Sequence, residues 1–457
     1  MNLFHYLKWR GDLTFDKDPI NEVDALIFTE LSYIPLDKLV YRDHQKKGYS
    51  LSYLATEFFD LYSEDTKLGA ILPSSDIFQT FKAVAAAPRF KDVEVRGYIN
   101  LIDKEKQQQF CAMCFDIDEE TTFVAFRGTD DTLIGWKENF NMAFFTPIPA
   151  QTEAKEYFER VSSHTKRKFY IGGHSKGGNL AIYAGLMANE KQKKKILQIY
   201  NFDGPGFRRQ FTDSITDEET VNKIHNVLPE GTIIGAIFET VGKCEFVRSF
   251  ARGLYQHDAF SWSVLGKSFV RVKHVSKGSL EFHDLLDKWV AKMTDEEKME
   301  FVDAFYKICT ANELSTLTQI ASNKLKFIVN ILKAEEKTKK VIYKAFSLLI
   351  KEKFLSKDNK KEKTNKKLKD KKLIEHMLAS ENGKKSSLSE NVTDEEIILI
   401  AEQLSETGKD VTVPEKEEIE AIKITKKDFL TKEKSKKAEK KPKQKAEKTK
   451  NKPSKEK

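Results

Sequence analysis

The chain has 457 residues, of which 40% are hydrophobic and 32% charged, and its formal net charge is +8. Composition is uneven, because residues 1–285 mix aromatic, aliphatic, glycine and proline residues as a globular α/β domain does, whereas Thr431–Lys457 holds 13 lysines and 4 glutamates. Such a segment cannot bury enough apolar surface to offset its ordering entropy, so the net charge describes a tail and not the folded part.

The cysteines and the N-terminus exclude some classes of protein. Four cysteines are too few for a disulfide framework. Cys111 and Cys114 have C-x-x-C spacing, but they lie in a strand-like run, where positions three apart point to opposite faces. We therefore expect core cysteines, no metal site and no cofactor. The N-terminus has no long apolar segment with a cleavage site, and no run of 18 apolar residues occurs anywhere, so the expected compartment is the cytoplasm.

The first elements in chain order are helices. Apolar residues recur at three- and four-residue spacing through Val23–Tyr33, which predicts one buried helical face. Residues 45–90 predict further helices, among them Asp76–Ala87, which a serine pair caps and Pro88 ends. This segment is either a lid over the active site or plain packing, and the sequence leaves both open.

Strands dominate the next part of the chain. Three strand-like segments with short polar connections predict an antiparallel meander, namely Val93–Ile102, Gln108–Phe115 and Thr121–Phe126. Helix Thr152–His164 then leads to a short strand at Lys168–Ile171. Later strand candidates, separated by loops or short helices, are Ile196–Asp203, Lys223–Leu228 and Cys244–Phe250. Strands alternating with helices predict an α/β fold with a mostly parallel central sheet.

The C-terminal part is first helical and then polar. Helices are predicted over Leu280–Lys292, Asp295–Cys309 and Leu314–Leu355. The last is amphipathic, and it either docks on the core or lies at a membrane surface. We expect three parts, an α/β domain over 1–285, a helical segment over 286–355 and a disordered, lysine-rich tail over 356–457. A short helix candidate in the tail, Asp394–Leu404, has a cap in Thr393.

The segment around Ser175 carries the strongest chemical signal. Gly173–Gly177 fits G-x-S-x-G, in which a serine stands on a sharp turn between a strand and a helix. The strand-like run before it and the alanine-rich run Asn179–Ala188 after it match that context. Glycine is required at 173 and 177, because a side chain in so tight a turn would collide with neighbouring backbone. The pattern predicts a nucleophilic Ser175; the alternative is a glycine-rich turn with an incidental serine.

A serine nucleophile needs a base, and the base needs an acid that orients it. In this arrangement the acid and then the histidine follow the serine along the chain. His257 lies in a loop just beyond the last predicted parallel strand, where α/β sheets place their chemistry. The other histidines after the serine lie in strand-like runs, at a helix start or in the tail (His225, His274, His283 and His376). We therefore expect His257 to be the base; the alternative is a surface-loop histidine.

Three carboxylates are candidates for the acid. Asp203 follows a predicted strand and begins Asp-Gly-Pro-Gly, which places it on the same rim of the sheet as Ser175. Glu230, after the next strand, is its rival. Asp258 is a distant third, because adjacent side chains rarely face each other as an acid and a base must. The position favours Asp203, which would hold the imidazole tautomer and stabilise the imidazolium.

The oxyanion of an acyl-transfer intermediate needs two preorganised donors. One predicted donor is the backbone N–H of Lys176, the residue after the nucleophile. The other is expected from Thr129, which follows an earlier strand and could add its hydroxyl to its N–H. The side chain of Lys176 either attracts an anionic substrate or pairs with Asp130 or Asp131.

These residues carry a resemblance. Phe126-Arg-Gly-Thr, Trp136 and Gly173-His-Ser-Lys-Gly-Gly-Asn-Leu-Ala are similar to the class 3 lipases, although those usually have leucine where this chain has Lys176. A longer set resembles a bacterial family of lipase-like α/β-hydrolases over roughly residues 1–285. It adds Trp9-Arg-Gly-Asp, the Asp-Asp that follows Thr129, Gly135-Trp-Lys-Glu, Phe202-Asp-Gly-Pro-Gly-Phe and Gln256-His-Asp. The resemblance implies an α/β-hydrolase fold over 1–285 and hydrolase chemistry.

Two hypotheses from different classes follow. The first is a cytoplasmic serine ester hydrolase of the lipase or esterase type, with an ester or lipid substrate and an acyl-enzyme intermediate. The second is a degenerate hydrolase that serves as a binding scaffold, whose basic tail contacts an anionic membrane surface or nucleic acid. The intact order of Ser175, Asp203 and His257 favours the enzyme.

Overall fold

The computed structural model describes residues 1–62, 74–103, 105–129, 133–142, 145–310, 330–331 and 333–357. The predicted helix Asp394–Leu404, the tail after 357 and part of the predicted helix Leu314–Leu355 lie outside these residues. Among the described helices, none has the length and apolar character needed to cross a lipid bilayer.

The described strands form one large sheet and one small hairpin. They are β1 (Tyr49–Ser50), β2 (Glu94–Asp103), β3 (Gln108–Asp116), β4 (Thr121–Phe126), β5 (Lys168–His174), β6 (Ile196–Phe202), β7 (Ile224–Pro229), β8 (Cys244–Val247), β9 (Val264–Leu265), β10 (Ser268–Phe269) and β11 (Arg271–Val272).

Helices precede, connect and follow these strands. In the part of the chain that is described they are α1 (Leu3–Arg10), α2 (Glu22–Leu31), α3 (Leu51–Leu61), α4 (Ser74–Ala86), α5 (Leu133–Asn141), α6 (Pro149–Ser162), α7 (Lys176–Met187), α8 (Glu190–Lys193), α9 (Arg209–Thr212), α10 (Glu218–Val221), α11 (Lys277–Ala291), α12 (Asp295–Thr310) and α13 (Glu336–Lys357).

The large sheet has the order β1-β2-β3-β4-β5-β6-β7-β8-β11. Strands β4 to β8 are parallel to one another, and they form the centre. Strands β1 to β4 pair in antiparallel fashion at one side, and β11 does so at the other. The predicted meander and the predicted parallel centre are both present in this mixed α/β sheet. The carboxyl ends of the parallel strands therefore share one edge, which is where such sheets place ligands.

Two apolar cores cover the two faces of the sheet. Helices α1 to α4 pack on the sheet in the first core and α6 and α7 in the second, so the domain has three layers. Cys111 belongs to the first core and Cys114 to the second. The prediction that these two cysteines are buried on opposite faces of a strand is confirmed, since side chains alternate along β3.

The C-terminal helices have a core of their own. Residues of α11, α12 and α13 pack together around Phe301, Ile308 and Ile342, and Phe140 of α5 packs against this cluster. Helix α11 begins at Lys277, where the side chain of Ser276 caps it by accepting from the Ser279 N–H. This helical segment thus contacts the α/β part of the molecule through α5.

Candidate active site

The predicted site residues follow different parallel strands but lie on one edge of the sheet. Ser175 directly follows β5 and Asp203 directly follows β6. Thr129 lies three residues after β4, and His257 ends a 3-10 turn that follows β8. Because β4 to β8 run in the same direction, these four residues meet at the carboxyl edge.

The turn at Ser175 is tight and strained. Ser175 has φ 58° and ψ −132°, a left-handed conformation that a non-glycine residue adopts at a cost of roughly 1–3 kcal/mol. Its N–H donates to the Phe202 carbonyl at 2.9 Å, which fixes the turn to β6. A Cβ at Gly173 would collide with the backbone of Gly177, and one at Gly177 would collide with the Phe126 carbonyl. Both glycines are therefore needed where the sequence predicts them, and the turn lifts Ser175 out of the sheet.

Asp203 and His257 are in direct contact. His257 Nδ1 donates to Asp203 Oδ2 at 2.7 Å. The other oxygen of this fully buried carboxylate accepts from the Thr232 hydroxyl and, at 3.2 Å, from the Gly235 N–H. Both oxygens thus have partners, and the contact fixes the His257 tautomer with Nε2 unprotonated in the neutral ring.

Neither rival carboxylate is in the position of Asp203. Glu230 follows β7, and among the described residues no contact joins its side chain to His257. Asp258 Oδ1 accepts from the Phe260 N–H at 3.0 Å and caps the next turn. Burial raises the pKa of Asp258, and the carboxylate of Asp76 raises it further.

His257 is anchored through its neighbours as well as its ring. The Gln256 carbonyl accepts from Nε1 of the buried Trp262 at 2.8 Å, and Gln256 Oε1 accepts from the Gly231 N–H at 2.9 Å. His174, the residue before Ser175, stacks on His257 with ring centroids 4.6 Å apart and donates from Nε2 to the His257 carbonyl at 2.8 Å. These contacts hold the His257 loop beside the elbow.

No direct hydrogen bond joins the serine and the imidazole among the described residues. Within the described part of the chain, the contacts of the Ser175 hydroxyl do not include His257 Nε2. Catalytic hydrogen bonds are often long in free enzymes and tighten when substrate binds. Ser175 thus directly follows the histidine that stacks on His257, and the Asp203 carboxylate orients the His257 ring.

The two predicted oxyanion donors lie on either side of the elbow. The Lys176 N–H is the first of α7, where backbone N–H groups have no intrahelical partner. Gly128, just before Thr129, is packed against the elbow, since a Cβ there would lie 2.6 Å from the His174 carbonyl and 3.1 Å from Ser175 Cβ. The Thr129 hydroxyl donates to Asn139 Oδ1 at 2.9 Å, so its proton is not directed at the serine. The Thr129 backbone N–H is the donor that remains.

The side chain of Lys176 is buried in a polar cluster and does not reach toward a substrate. Its Nζ donates to Gln109 O at 2.6 Å, to Gln109 Oε1 at 2.8 Å and to Glu138 Oε2 at 2.8 Å. Glu138 also accepts from the N–H groups of Gln109 and Ala150, both at 3.1 Å. The sequence left open an anionic substrate or a carboxylate partner at 130 or 131, and these two positions lie outside the described residues. The partner is Glu138, because α5 passes beside the first turn of α7.

The helix that the sequence offered as a lid contributes to the core. Ile77, Phe81 and Val84 of α4 are buried in the first core, and their packing accounts for the apolar pattern. Asp76, in the first turn of α4, is nevertheless close enough for its carboxylate to raise the pKa of Asp258, the residue after His257. Residues 63–73, which precede α4, lie outside the described residues.

Several residues of the site were not predicted, although their motifs were. His174, Glu138 and Gln256 stand inside the motifs around Ser175, Trp136 and His257, but nothing in the sequence indicates what each contacts. Thr232 and Glu30 carry no sequence signal at all. Among the described residues, no group of three His, Cys, Asp or Glu side chains is arranged to hold a metal ion.

A mixed, mostly parallel central sheet with helices on both faces and a serine on a strand-to-helix turn defines a lipase-like α/β fold. In agreement, residues 84–307 match the family model described as Mbeg1-like, a lipase-like family. A solved structure described as the crystal structure of M37 lipase is similar with 13% identity and a TM-score of 0.27, over 47% of this chain and 68% of that one. A similarity at that level carries no conclusion. No curated protein matches the sequence.

Proposed function

We propose that the protein is a serine hydrolase of the lipase or esterase type, which cleaves a carboxylic ester through an acyl-enzyme. The observation that carries this proposal is the 2.7 Å hydrogen bond between His257 Nδ1 and the buried Asp203, beside a serine held at positive φ. An oriented imidazole near a serine on a strained turn at the carboxyl edge of the sheet is the arrangement that activates a hydroxyl nucleophile.

In the proposed reaction, Ser175 Oγ attacks the ester carbonyl while His257 Nε2 takes the hydroxyl proton. Asp203 stabilises the imidazolium that forms. The N–H groups of Lys176 and Thr129 donate to the oxyanion. The tetrahedral intermediate collapses when His257 returns the proton to the leaving alcohol, and Ser175 keeps the acyl group. Water, deprotonated by His257, then releases the carboxylic acid and regenerates the serine.

A fluorophosphonate probe tests this function. We expect covalent labelling of the wild-type protein, none in Ser175→Ala, and hydrolysis of short-chain esters by the wild type. His257→Ala should lower kcat by about three orders of magnitude, the scale for members of such a triad. An unlabelled wild-type protein would contradict the enzyme and favour the binding-scaffold hypothesis, and near-wild-type turnover in His257→Ala would contradict that residue's role.

A matched pair of variants tests the acid. Asp203→Asn should lower kcat by about four orders of magnitude, because the amide favours the wrong imidazole tautomer. Glu230→Gln makes the same chemical change one strand away and should leave kcat within about three-fold of wild type, the scale expected for a surface change. The reverse ranking, measured on one soluble ester, would assign the role to Glu230.

A further inference from the structure

Glu30 is a fully buried carboxyl group without a hydrogen bond. It lies near the end of α2, and neither of its oxygens has a hydrogen-bond partner. One ionisable neighbour is His174, whose Nδ1 lies 3.6 Å from Glu30 Oε1 and is also unpartnered. Buried polar groups are nearly always satisfied, so an orphaned pair beside a candidate active site requires an explanation. Glu30 also lies outside residues 84–307, the part that matches the family model.

The contacts of His174 determine where its proton is. Nε2 lies 2.8 Å from the His257 carbonyl, which can only accept, so Nε2 carries hydrogen. Burial lowers the pKa of His174 well below its usual range, and the neighbouring His257 lowers it further. The ring is therefore neutral, and Nδ1 presents a lone pair to Glu30.

The state of Glu30 complements that lone pair. Burial raises the pKa of Glu30 well above its usual range, and the carboxylate of Asp258 raises it further. A protonated carboxyl group can donate to Nδ1, whereas a carboxylate would set an electron pair against an electron pair. A shift of a fraction of an ångström brings 3.6 Å to hydrogen-bond distance.

We propose that Glu30 and His174 form a neutral positioning pair for His257, in which the Glu30 carboxylic acid donates to Nδ1 of His174 and fixes its ring, and His174 holds the main chain and the ring of His257. This proposal rests on the proposed function, since it concerns the base of that reaction. The pair adds Glu30 of α2 to the site, next to His174, which stacks on His257.

Neutrality of the pair matters because His257 becomes positive during the reaction. Asp203 faces His257 from the end of β6, Asp258 adjoins it, and His174 stacks on it from β5. Asp258 in turn interacts electrostatically with Asp76 of α4 and with Glu30 of α2. A protonated His174 with its ring 4.6 Å from that of His257 would oppose the imidazolium, and a neutral one does not.

Two near-isosteric substitutions test the proposal. Glu30→Gln keeps a neutral donor toward Nδ1, and we expect kcat/KM within about three-fold of wild type and an unchanged acidic limb of its pH profile. Glu30→Met removes the donor without opening a cavity, and we expect kcat/KM to fall about ten-fold or more, the scale of a misplaced catalytic group. Its melting temperature should change little, because a buried polar side chain becomes apolar while His174 Nδ1 loses its donor, and these two effects oppose each other.

Thr80→Val is the matched control. It also replaces a fully buried hydrogen-bonding group that has no partner with an apolar isostere, and it should leave kcat/KM within about three-fold of wild type. Equal losses of kcat/KM in Glu30→Gln and Glu30→Met would overturn the proposal in favour of an ionised Glu30. Wild-type kcat/KM in Glu30→Met, or a loss matched by partial unfolding, would overturn it in favour of a merely structural residue.

Side-chain nitrogen NMR of labelled histidine gives a readout that needs no activity. We expect His174 as a neutral ring with hydrogen on Nε2 in all three proteins, and an Nδ1 resonance shifted by an accepted hydrogen bond in the wild type and in Glu30→Gln but not in Glu30→Met. The same Nδ1 resonance in all three proteins would overturn the positioning pair. A wild-type protein that hydrolyses no ester but shows the expected Nδ1 resonances would overturn the proposed function alone.

Discussion

Lys176 shows at the scale of one residue how a charged side chain beside a proposed nucleophile can serve the fold. Three acceptors surround its ammonium group, and the side chain is 1% exposed. Removing one partner of a buried ion pair leaves an uncompensated charge and costs roughly 3–5 kcal/mol, so Glu138 and Lys176 must be present together. The lysine gives no reason to expect an anionic substrate, and its backbone N–H remains available to an oxyanion.

Glu30 makes stability depend on pH in a way that a variant can reveal. The folded state keeps a proton on Glu30, because burial raises its pKa. The unfolded chain loses that proton at about pH 4.3. Above this pH the unfolded state binds fewer protons than the folded state, so the free energy of unfolding falls as pH rises. Glu30→Met lacks this dependence. The melting temperature of Glu30→Met minus that of the wild type should therefore increase from about pH 4 to about pH 7.

Thermal unfolding at several pH values measures that difference. His174 contributes the opposite dependence below its unfolded pKa, but it is present in both proteins and largely cancels. A difference in melting temperature that stays constant with pH would show that Glu30 is ionised in the folded protein.

At the scale of the element, α5 connects the candidate site with the C-terminal helices. Glu138 and Asn139 contact Lys176 and Thr129, the two residues whose N–H groups are the proposed oxyanion donors. On the other side of the helix, Phe140 packs against Phe305 with centroids 5.4 Å apart. The C-terminal helices thus pack against α5, and α5 contacts both residues that carry the proposed oxyanion donors.

Truncation of Phe140 should affect turnover through this connection. Phe140→Ala removes the contact of α5 with Phe301 and Phe305, and we expect kcat to fall about ten-fold while KM changes little, since the oxyanion forms only in the transition state. Phe346→Ala is the control, because Phe346 contacts Phe301 within the same core and no described contact joins it to α5. Equal kcat values in the two variants, at similar losses of melting temperature, would show that the C-terminal helices do not influence the site.

Elements were predictable where one local pattern was strong. Strand β4 has the predicted bounds, Thr121–Phe126, because it is a β-branched and aromatic run with polar residues on one side. Helix α6 begins at Pro149, three residues before the predicted Thr152, because proline suits the first turn of a helix and the Gln151 side chain satisfies the Ile148 N–H. The apolar periodicity of a sequence cannot predict a helix start that depends on such a side-chain contact.

At the scale of the whole molecule, the sequence predicted which residues share an edge but not which of them touch. Strand order along the chain places Ser175, Asp203, Glu230 and His257 on one rim, and it does not distinguish Asp203 from Glu230. That distinction depends on the path of the loop after β8, which Gln256, Trp262 and His174 fix. Glu30 is 144 positions from His174 in sequence, and only the packing of α2 on the sheet brings them together.

The lysine-rich tail gives the last prediction. A chain that ends after Lys357 keeps α13 and loses residues 358–457, whose composition is too polar for a core. We expect it to fold and to hydrolyse a soluble short-chain ester with unchanged kcat. Near an anionic surface each lysine contributes about 1 kcal/mol, and salt screens this attraction. The shortened chain should therefore bind anionic vesicles or a polynucleotide more weakly than the full chain at low salt, and both should bind weakly at high salt.

Co-sedimentation with vesicles of anionic and of neutral lipid, and a polynucleotide shift assay, measure this binding for both chains. If shortening the chain weakens binding to anionic vesicles more than binding to the polynucleotide, a membrane surface is the partner. If it weakens binding to the polynucleotide more, the partner is nucleic acid. Equal binding by both chains at low salt would exclude electrostatic tethering by the tail. Loss of ester hydrolysis in the shortened chain would place residues after 357 in the catalytic structure, since the oxyanion donors, the serine and the Asp203–His257 pair all precede them.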